Sequence, residues 1–398
     1  MKKLILLTII ALSANIANAQ WQQTGLDGRY VRCFAVSGTN IFAGTWGDGV
    51  FLSSNNGSSW TAVSNGLINT YVHSLAISGT NIFAGTPGNG AFLSSNNGGL
   101  WTAVNNGLTD TYVESLAISG TNIFAGTQGG VFLSINNGST WTAVNNGLPT
   151  DAYGDYPTVL SLAINGSNIF AGTNFGGVFL SSNNGSSWIA VNNGLTNTYV
   201  NTLAISGTNI FAGDSGGVFL STNNGGLWTA VNNGLTNTYV HSLAISGTNI
   251  FAGTDGGGVF LSTNNGGLWT AVNNGLTDTW VESLAISGTN IFAGTWGSGV
   301  WKRPLSEMVS VSETNSNNVN FMLYPNPSSG KFKIEIENNT KNKIKLEIYS
   351  LLGEKIFATT NFKQQVSNEI DLSNSPKGIY FVKIYDGEKV YTEKIVIQ

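Results

Sequence analysis

The chain has 398 residues, only 10% of them charged, and a formal net charge of −4. Between Trp21 and Leu305, four basic residues face ten carboxylates, which leaves this part of the chain with a net charge of −6. Nucleic acid is thereby disfavoured as a partner, because phosphate binding depends on lysine and arginine side chains. The single cysteine, Cys33, excludes an internal disulfide.

Residues 1–19 are predicted to be a signal peptide. Lys2 and Lys3 precede an apolar run from Leu4 to Leu12, and small residues at 17–19 supply a cleavage site. The apolar run is too short to cross a bilayer, and no other stretch is apolar enough to do so. We therefore expect the mature chain to leave the cytoplasm and to have no membrane span.

Residues 20–305 consist mainly of one repeated unit. Its copies begin at Val31, Val72, Val113, Val159, Val200, Val240 and Val281. Each of the first six copies contains four short runs rich in Val, Ile, Phe, Thr and Trp, bounded by Gly, Asn or Ser, as is typical of β-strands. The period is 41 residues, with one interval of 46 and one of 40. A period near forty built from strands alone predicts propeller blades.

The two ends of the repeat region complement each other. The last copy stops at Leu305 without its fourth strand, and Trp21–Leu26 aligns with the fourth-strand segment Trp60–Leu67. With this segment, one tryptophan position is filled seven times, by Trp21, Trp60, Trp101, Trp141, Trp188, Trp228 and Trp269. The prediction is an all-β, seven-bladed β-propeller that is closed by the N-terminal strand.

The composition of the sequence changes where the repeats end. Residues 306–320 are polar and are predicted to be a linker. Residues 321–398 contain short strand-like runs that do not repeat, which predicts a small C-terminal Ig-like β-sandwich. The predicted strands are Lys331–Glu337, Ile344–Tyr349, Ile356–Thr360, Gln365–Asp371, Gly378–Asp386 and Lys389–Ile397.

The turn between the third and fourth strands resembles the Asp-box of sialidase-like and other BNR propellers, whose pattern is Ser-x-Asp-x-Gly-x-Thr-Trp. Ser53, Asn55, Gly57 and Trp60 occupy those positions, and the later copies repeat the arrangement with asparagine always in place of aspartate. Asparagine makes the same local turn bonds, so the hairpin-holding role of the box is expected to persist. The resemblance implies architecture and says little about activity.

The last domain resembles the C-terminal sorting domain of proteins exported by the Bacteroidetes type IX secretion system. The matching motif residues are Tyr324, Pro325, Asn326, Pro327, Gly330, Gly353, Gly378, Tyr380 and Lys394. The resemblance implies passage through the outer membrane with the type IX machinery as partner. It also implies removal of the tail, with release of the rest or its attachment to the cell surface. A generic fibronectin-like module is the alternative.

The propeller lacks the groups that its enzyme relatives use. Sialidase-type catalysis needs three converging arginines, whereas the repeats offer Arg29, Arg32 and, on the incomplete last blade, Arg303. The glycine-rich segments 47–49 and 256–258 precede no helix, so they do not predict a phosphate loop. We expect no catalytic residues, no cofactor and no metal. A carbohydrate-active hydrolase of the Asp-box type is the alternative.

The copies differ mainly at one end of the blades. The Ser-Gly-Thr-Asn and Asn-Asn-Gly turns at the other end barely change. The one insertion, Asp151–Tyr156, and the loops after the second strands fall at the variable end. A further varying position opens each inner strand and is filled by Arg32, His73, Glu114, Leu160, Asn201, His241 and Glu282. Variable loops on a rigid ring predict a binding face.

Two groups of side chains on this face are candidates for a functional role. The pairs His73 with Glu114 and His241 with Glu282 suggest metal or acid–base chemistry, but a joint duplication of two blades explains them more simply. Trp46, Trp280 and Trp296 lie outside the structural tryptophan position, and closure of the ring is expected to gather them near Arg32, Asp48 and Glu282. Exposed indoles beside polar groups bind sugars or proteins, and packing of the seam is the alternative.

The sequence therefore predicts a secreted or cell-surface-displayed, non-enzymatic propeller that binds a glycan or a surface protein through its variable loop face. A glycoside hydrolase and a purely structural surface protein are the alternatives.

Overall fold

Short runs of β-branched and aromatic residues between glycine and asparagine turns form the strands of this protein. The computed structural model describes residues 20–308, 321–336, 344–350, 354–360, 368–386 and 389–398. The predicted signal peptide, most of the predicted linker and Gly353 lie outside these residues. The chain divides into two compact units, Met1–Ser310 and Val311–Gln398.

The first unit contains seven four-stranded antiparallel sheets, which are the blades of a β-propeller. Within each of the six continuous blades the strands pair in chain order, and the first strands of neighbouring blades contact each other around the axis. Blades one to three consist of β2 (Val31–Ser37), β3 (Asn40–Thr45), β4 (Val50–Ser53), β5 (Thr61–Ala62), β6 (Ser74–Ser78), β7 (Asn81–Thr86), β8 (Gly90–Ser94), β9 (Thr102–Ala103), β10 (Val113–Ser119), β11 (Asn122–Thr127), β12 (Gly130–Ser134) and β13 (Thr142–Ala143). Blades four to six consist of β14 (Val159–Asn165), β15 (Asn168–Thr173), β16 (Val178–Ser181), β17 (Ile189–Ala190), β18 (Val200–Ser206), β19 (Asn209–Asp214), β20 (Gly217–Ser221), β21 (Thr229–Ala230), β22 (Val240–Ser246), β23 (Asn249–Thr254), β24 (Gly258–Ser262) and β25 (Thr270–Ala271).

The seventh blade is shared between the two ends of the propeller sequence. It combines β26 (Val281–Ser287), β27 (Asn290–Thr295) and β28 (Val300–Pro304) with the N-terminal strand β1 (Gln22–Gly25). Strand β1 pairs antiparallel with β28, and Gln23 lies opposite Trp301. The predicted closure by the N-terminal strand is confirmed.

The chain stays packed on the propeller slightly beyond the expected boundary at Leu305. A short 3-10 helix covers Leu305–Glu307, and Met308 is buried against the core of the last blade.

The outer strands are shorter than the sequence pattern predicts. The fourth strand of blade one covers only Thr61–Ala62 of the fourth-strand segment that begins at Trp60. The tryptophan position leaves the sheet because its side chain packs on the preceding blade. Two-residue outer strands leave little unpaired backbone at the rim of the ring.

Neighbouring blades meet where a glycine faces a valine. A Cβ atom on Gly44 would lie 2.7 Å from Cγ1 of Val72, the residue that precedes the inner strand of the next blade. The same contact occurs at the closing seam, where a Cβ atom on Gly294 would lie 2.7 Å from Cγ1 of Val31. Glycine is required at this position because any side chain would push the blades apart.

The repeated tryptophans join each blade to the one before it. The indole Nε1 of Trp101 donates to the carbonyl of Val63 at 2.6 Å, and Trp21 donates to the carbonyl of Val272 at 2.7 Å. Trp60 differs, because it is only partly buried and its Nε1 has no hydrogen-bond partner among the described residues. At that seam Gly25 of the closing strand lies against the Trp60 ring.

The Asp-box turn keeps its geometry with asparagine in place of aspartate. In blade one the Ser53 hydroxyl donates to Asn55 Oδ1 at 2.9 Å and accepts from the backbone N–H of Gly57 at 2.8 Å. Asn55 Oδ1 also accepts from the N–H of Ser59 at 2.9 Å. The serine–asparagine bond is formed in all six copies. The box therefore stabilises the hairpin between the third and fourth strands.

One buried carboxylate interrupts a repeated hydrogen bond. The last residue of the second strand is threonine in six blades, and its hydroxyl donates to a glycine carbonyl in the following loop, as Thr45 does to Gly49 at 2.8 Å. Blade five has Asp214 instead, which is 1% exposed. Its Oδ1 accepts from the N–H of Gly216, and its Oδ2 has no hydrogen-bond partner among the described residues. Burial raises the pKa of Asp214 to about 6.

The second unit is a two-sheet β-sandwich, as predicted. Its strands are β29 (Phe321–Tyr324), β30 (Lys331–Ile336), β31 (Ile344–Ser350), β32 (Lys355–Thr359), β33 (Asn368–Asp371), β34 (Gly378–Asp386) and β35 (Lys389–Ile397). One sheet has the order β29-β30-β33 and the other β32-β31-β34-β35. Phe332, Ile334, Leu346, Ile348 and Val382 are among the side chains that form the core between them. No helix in the described parts of the chain is long and apolar enough to cross a membrane.

The closing strand provides the first test. Trp21→Ala removes a buried indole and its hydrogen bond to Val272, so we expect a loss of about 3–5 kcal/mol in the free energy of unfolding. Trp60→Ala is the matched control and should cost less, because that indole is partly exposed and lacks the hydrogen bond. Urea unfolding of both variants measures the difference. An equal or smaller cost for Trp21→Ala would contradict closure by the N-terminal strand.

The buried carboxylate provides the second test. The folded state holds the Asp214 proton more tightly than the unfolded chain, so its contribution to stability is complete below about pH 4 and is lost as the pH rises to about 6. Asp214→Thr restores the repeated hydroxyl. It should stabilise the propeller by about 1–2 kcal/mol more at pH 7.5 than at pH 4. Urea midpoints at the two pH values measure this, and a pH-independent effect of the substitution would refute it.

Candidate functional site

The loop face is the end of the propeller that carries the loops after the second strands and the segments leading into the inner strands. A backbone hydrogen bond links the two kinds of segment within a blade. The N–H of Trp46 donates to the carbonyl of Tyr30 at 3.0 Å, and that of Trp296 donates to the carbonyl of Trp280 at 3.0 Å. The equivalent bond is formed in blades three, four and six, and in each of these five blades it places two neighbouring side chains at the rim of the loop face.

Five aromatic side chains lie across the closing seam in two contact groups, which we together call the aromatic arc: Trp280, Trp296, Tyr30, Trp46 and Tyr71. The ring centroids lie 6.1 Å apart for Trp280 and Trp296, 4.9 Å for Trp296 and Tyr30, and 5.4 Å for Trp46 and Tyr71. Each of the five side chains is between 37% and 47% exposed. The arc spans blades seven, one and two and presents its rings to solvent.

Several residues of the arc belong to a wider pattern, which a search for differences among the copies does not reveal. The residue before the first valine of the copy is aromatic in six of seven copies, at Tyr30, Tyr71, Tyr112, Tyr199, Tyr239 and Trp280, and all six are exposed. Because this position barely varies, a search for differences passes over it. The signal in the sequence is that tyrosine recurs at this position although packing of the core does not require an aromatic residue there.

Charged side chains lie along the inner edge of the arc. Arg32 Nη1 donates to Glu282 Oε2 at 2.6 Å, and the guanidinium lies 5.9 Å from the centre of the Trp46 ring. Trp46 also stacks on His73 at 4.9 Å, and His73 Nδ1 lies 2.6 Å from Glu114 Oε2. The Trp46 ring therefore lies between the Arg32–Glu282 ion pair and the His73–Glu114 contact.

The second histidine lies between two carboxylates. His241 Nε2 is 3.8 Å from Glu282 Oε1 and 4.0 Å from Asp255 Oδ2. Burial lowers the pKa of His241, and the nearby Glu282 opposes that shift only in part. The lowered pKa favours the neutral imidazole.

The residues predicted for the ligand site lie on the loop face, but not all in one contact group. Trp280 contacts Trp296, whereas Trp46 contacts Tyr71 and His73 and is linked to the other indoles through Tyr30. Asp48 lies on the same blade as Trp46, with its Oδ1 3.8 Å from Arg29 Nε. Sequence reasoning did not assign Tyr30, Tyr71, Arg29 and His73 to this group.

The insertion Asp151–Tyr156, in the connection from blade three to blade four, forms a separate projection on this face. Asp151 Oδ1 accepts from the N–H groups of Tyr153 and Asp155 at 2.8 and 3.0 Å, which holds the loop in a tight turn. Tyr153 at its tip is 92% exposed. The inserted loop therefore presents a free aromatic ring apart from the arc.

The arginines and acidic groups are engaged in structural contacts. Arg303 is buried and donates to the backbone carbonyls of Val272 and Glu307, so it is held away from solvent while Arg29 and Arg32 lie on the loop face. Among the described residues, no three His, Cys, Asp or Glu side chains are grouped so as to hold a metal ion.

The sorting-motif residues hold the second unit together. Asn326 Nδ2 donates to the carbonyl of Lys394 at 2.7 Å, and its Oδ1 accepts from the N–H of Val396 at 3.0 Å. Tyr380 is buried and donates its hydroxyl to the carbonyl of Pro376 at 2.5 Å. A Cβ atom on Gly330 would lie 2.5 Å from Cα of Ser373. The peptide bonds before Pro325 and Pro327 are cis.

Solved structures of other propellers are similar to this chain. A structure of YCF48 bound to D1 peptide has a TM-score of 0.57 at 12% identity and covers 72% of this chain and 95% of its own. PorZ, an essential surface component of the type IX secretion system of Porphyromonas gingivalis, has a TM-score of 0.54 at 16% identity, covering 92% and 59%. The GH74 enzyme of Niastella koreensis has a TM-score of 0.57 at 15% identity, covering 95% and 74%. At these identities the likeness establishes the fold alone.

No curated protein sequence matches the chain. Residues 322–398 match the family described as the secretion system C-terminal sorting domain. The match covers the segment in which Asn326, just after the first strand of the second unit, hydrogen-bonds to the last strand. The chain is therefore a seven-bladed β-propeller carrying a type IX secretion C-terminal sorting domain, which directs it to the cell surface or into the medium.

Proposed function

We propose that the exported propeller is a non-enzymatic binding module and that the aromatic arc is its ligand site. The observation that carries the proposal is the exposure of five neighbouring aromatic rings on a rigid ring of blades. Aromatic side chains contribute much of the energy of binding sites, because each offers a large contact area with little conformational freedom to lose. The ion pairs beside the rings add polar groups that fix the orientation of a ligand.

A glycan is the ligand class that the arc suits best. The apolar faces of sugar rings stack on exposed indole and phenol rings, while the hydroxyls at the ring edges need both donors and acceptors. Arg32 supplies N–H donors and Asp48 supplies carboxylate acceptors near the arc. A peptide or surface protein is the second candidate, and the peptide bound in the similar YCF48 structure supports it.

A glycoside hydrolase remains the competing interpretation, supported by the fold likeness to the GH74 enzyme. Hydrolysis requires two carboxyl groups that flank the scissile bond. Asp255 and Glu282 both lie within 4.0 Å of His241 on this face. Glu282 is buried and paired with Arg32, which favours a structural role for that carboxylate.

Removal of the tryptophans tests the ligand site. Trp46→Ala combined with Trp296→Ala should weaken binding by more than tenfold, about 1.5–3 kcal/mol, because the ligand loses two aromatic contacts. Folding should survive, since both side chains are more than one-third exposed. The measurement is a glycan and surface-protein array with the purified protein, followed by titration of the ligand it identifies.

The matched control lies at the opposite end of the blades. Thr80→Ala should leave the affinity unchanged, because Thr80 belongs to a turn that faces away from the loop face. A folded double variant with unaltered affinity would identify the arc as seam packing. Release of reducing sugar that disappears in Asp255→Asn would favour the hydrolase instead.

Deletion of residues 322–398 tests the export route. The sorting domain forms its own sheets and core, so the propeller should fold without it but remain in the periplasm of a host that has the type IX system. Cell fractionation and immunoblotting measure the distribution. A normal amount of the truncated protein at the cell surface would disprove the dependence on the tail.

A further inference from the structure

We propose that the ligand of the aromatic arc is an uncharged polysaccharide. The inference deepens the binding role proposed above and rests on it. Its basis is the pairing of charges around the arc, which leaves aromatic surface and polar groups accessible but no free positive charge.

Every basic side chain near the arc is matched by a carboxylate. Arg32 forms a 2.6 Å ion pair with Glu282, and Arg29 Nε lies 3.8 Å from Asp48. His73 Nδ1 lies 2.6 Å from Glu114 Oε2. A sulfated or carboxylated glycan would have to displace one of these partners to reach a cation, and it would leave a carboxylate without its counterion.

The other basic residues of the propeller do not reach the loop face. Lys302 Nζ donates to the carbonyl of Asn56, which lies in the turn at the opposite end of blade one. Arg303 is 6% exposed and bonded to backbone carbonyls. Together with Arg29 and Arg32 these are all the lysines and arginines between Trp21 and Leu305.

Unpaired carboxylates add to the discrimination against anions. Asp278 Oδ1 accepts from the backbone N–H of Trp280 at 3.1 Å, and Asp110 Oδ1 accepts from that of Tyr112 at 2.8 Å. Both aspartates orient aromatic residues of the rim and have no basic partner among the described ion pairs. An anionic polymer would therefore meet repulsion on approach.

The relative tilt of the rings favours a chain of separate sugar units over one flat ligand. The interplanar angles are 60° for Trp280 and Trp296, 32° for Trp296 and Tyr30, and 88° for Trp46 and Tyr71. A single planar group cannot stack on rings inclined at such angles. Successive sugar rings joined by rotatable linkages can each meet a differently inclined ring, and balanced ion pairs offer donors and acceptors to their hydroxyls.

Affinity electrophoresis of the purified protein tests the ligand class. The neutral probes are dextran, yeast mannan, xylan, galactomannan and mixed-linkage β-glucan, and the anionic probes are carboxymethylcellulose, alginate and dextran sulfate. We expect at least one neutral polymer to retard the protein, with more than tenfold loss of affinity in the Trp46→Ala, Trp296→Ala double variant. We expect none of the anionic polymers to retard the protein.

The outcomes separate the two proposals. Retardation by anionic polymers alone, lost in the double variant, would overturn the uncharged ligand and leave the arc as a binding site. Retardation by a neutral polymer that persists in the double variant would overturn the role of the arc. Absence of retardation by every polymer would overturn the polysaccharide inference, while array binding of a protein lost in the double variant would preserve the arc.

A charge-unmasking variant tests the cause directly. Asp48→Asn leaves Arg29 without its carboxylate, so we expect affinity for dextran sulfate to rise at least about threefold at low salt and to fall again at high salt. Asp278→Asn is the matched control, because it removes the same charge from the same face without freeing an arginine. Equal effects of the two substitutions would show that pairing of the arginine does not set the selectivity.

Discussion

The contact between a glycine of one blade and the valine at the start of the next copy is the constraint on which the propeller depends. The glycine lies in the second strand, and a side chain there would overlap the valine, as at Gly44 with Val72. The closing seam uses the same contact, at Gly294 with Val31. Because every blade interface depends on this close glycine–valine contact, the last blade must pack as tightly as the others. The N-terminal strand completes that blade.

Most of the fold follows from the sequence because the repeat displays it several times. The four strands, the turn residues and the missing last strand can be read by aligning the copies, and the asparagine in place of the box aspartate keeps the same hydrogen bonds at Asn55. The length of the outer strands cannot be read in this way. The tryptophan at each fourth strand packs on another blade, so its β-propensity does not report pairing within its own sheet.

The candidate site was only partly predictable from the sequence. Trp46, Trp280 and Trp296 were found because they depart from the repeat. Tyr30 and Tyr71 conform to it and were passed over, although their rings complete the arc. Contacts such as that of Arg29 with Asp48 depend on side-chain rotamers and on closure of the ring. The sequence pattern specifies neither the rotamers nor the contacts made at the closing seam.

Shared construction of the seventh blade also has a genetic consequence. Near-identical repeats invite recombination, which adds or removes whole blades in steps of about 41 residues. In a linear repeat array such a change merely alters length. Here β1 pairs with β28 only when the chain has completed the ring, so gain or loss of a blade changes the ring that the two terminal strands have to close. The shared blade therefore makes pairing of the chain's two ends depend on the number of copies between them.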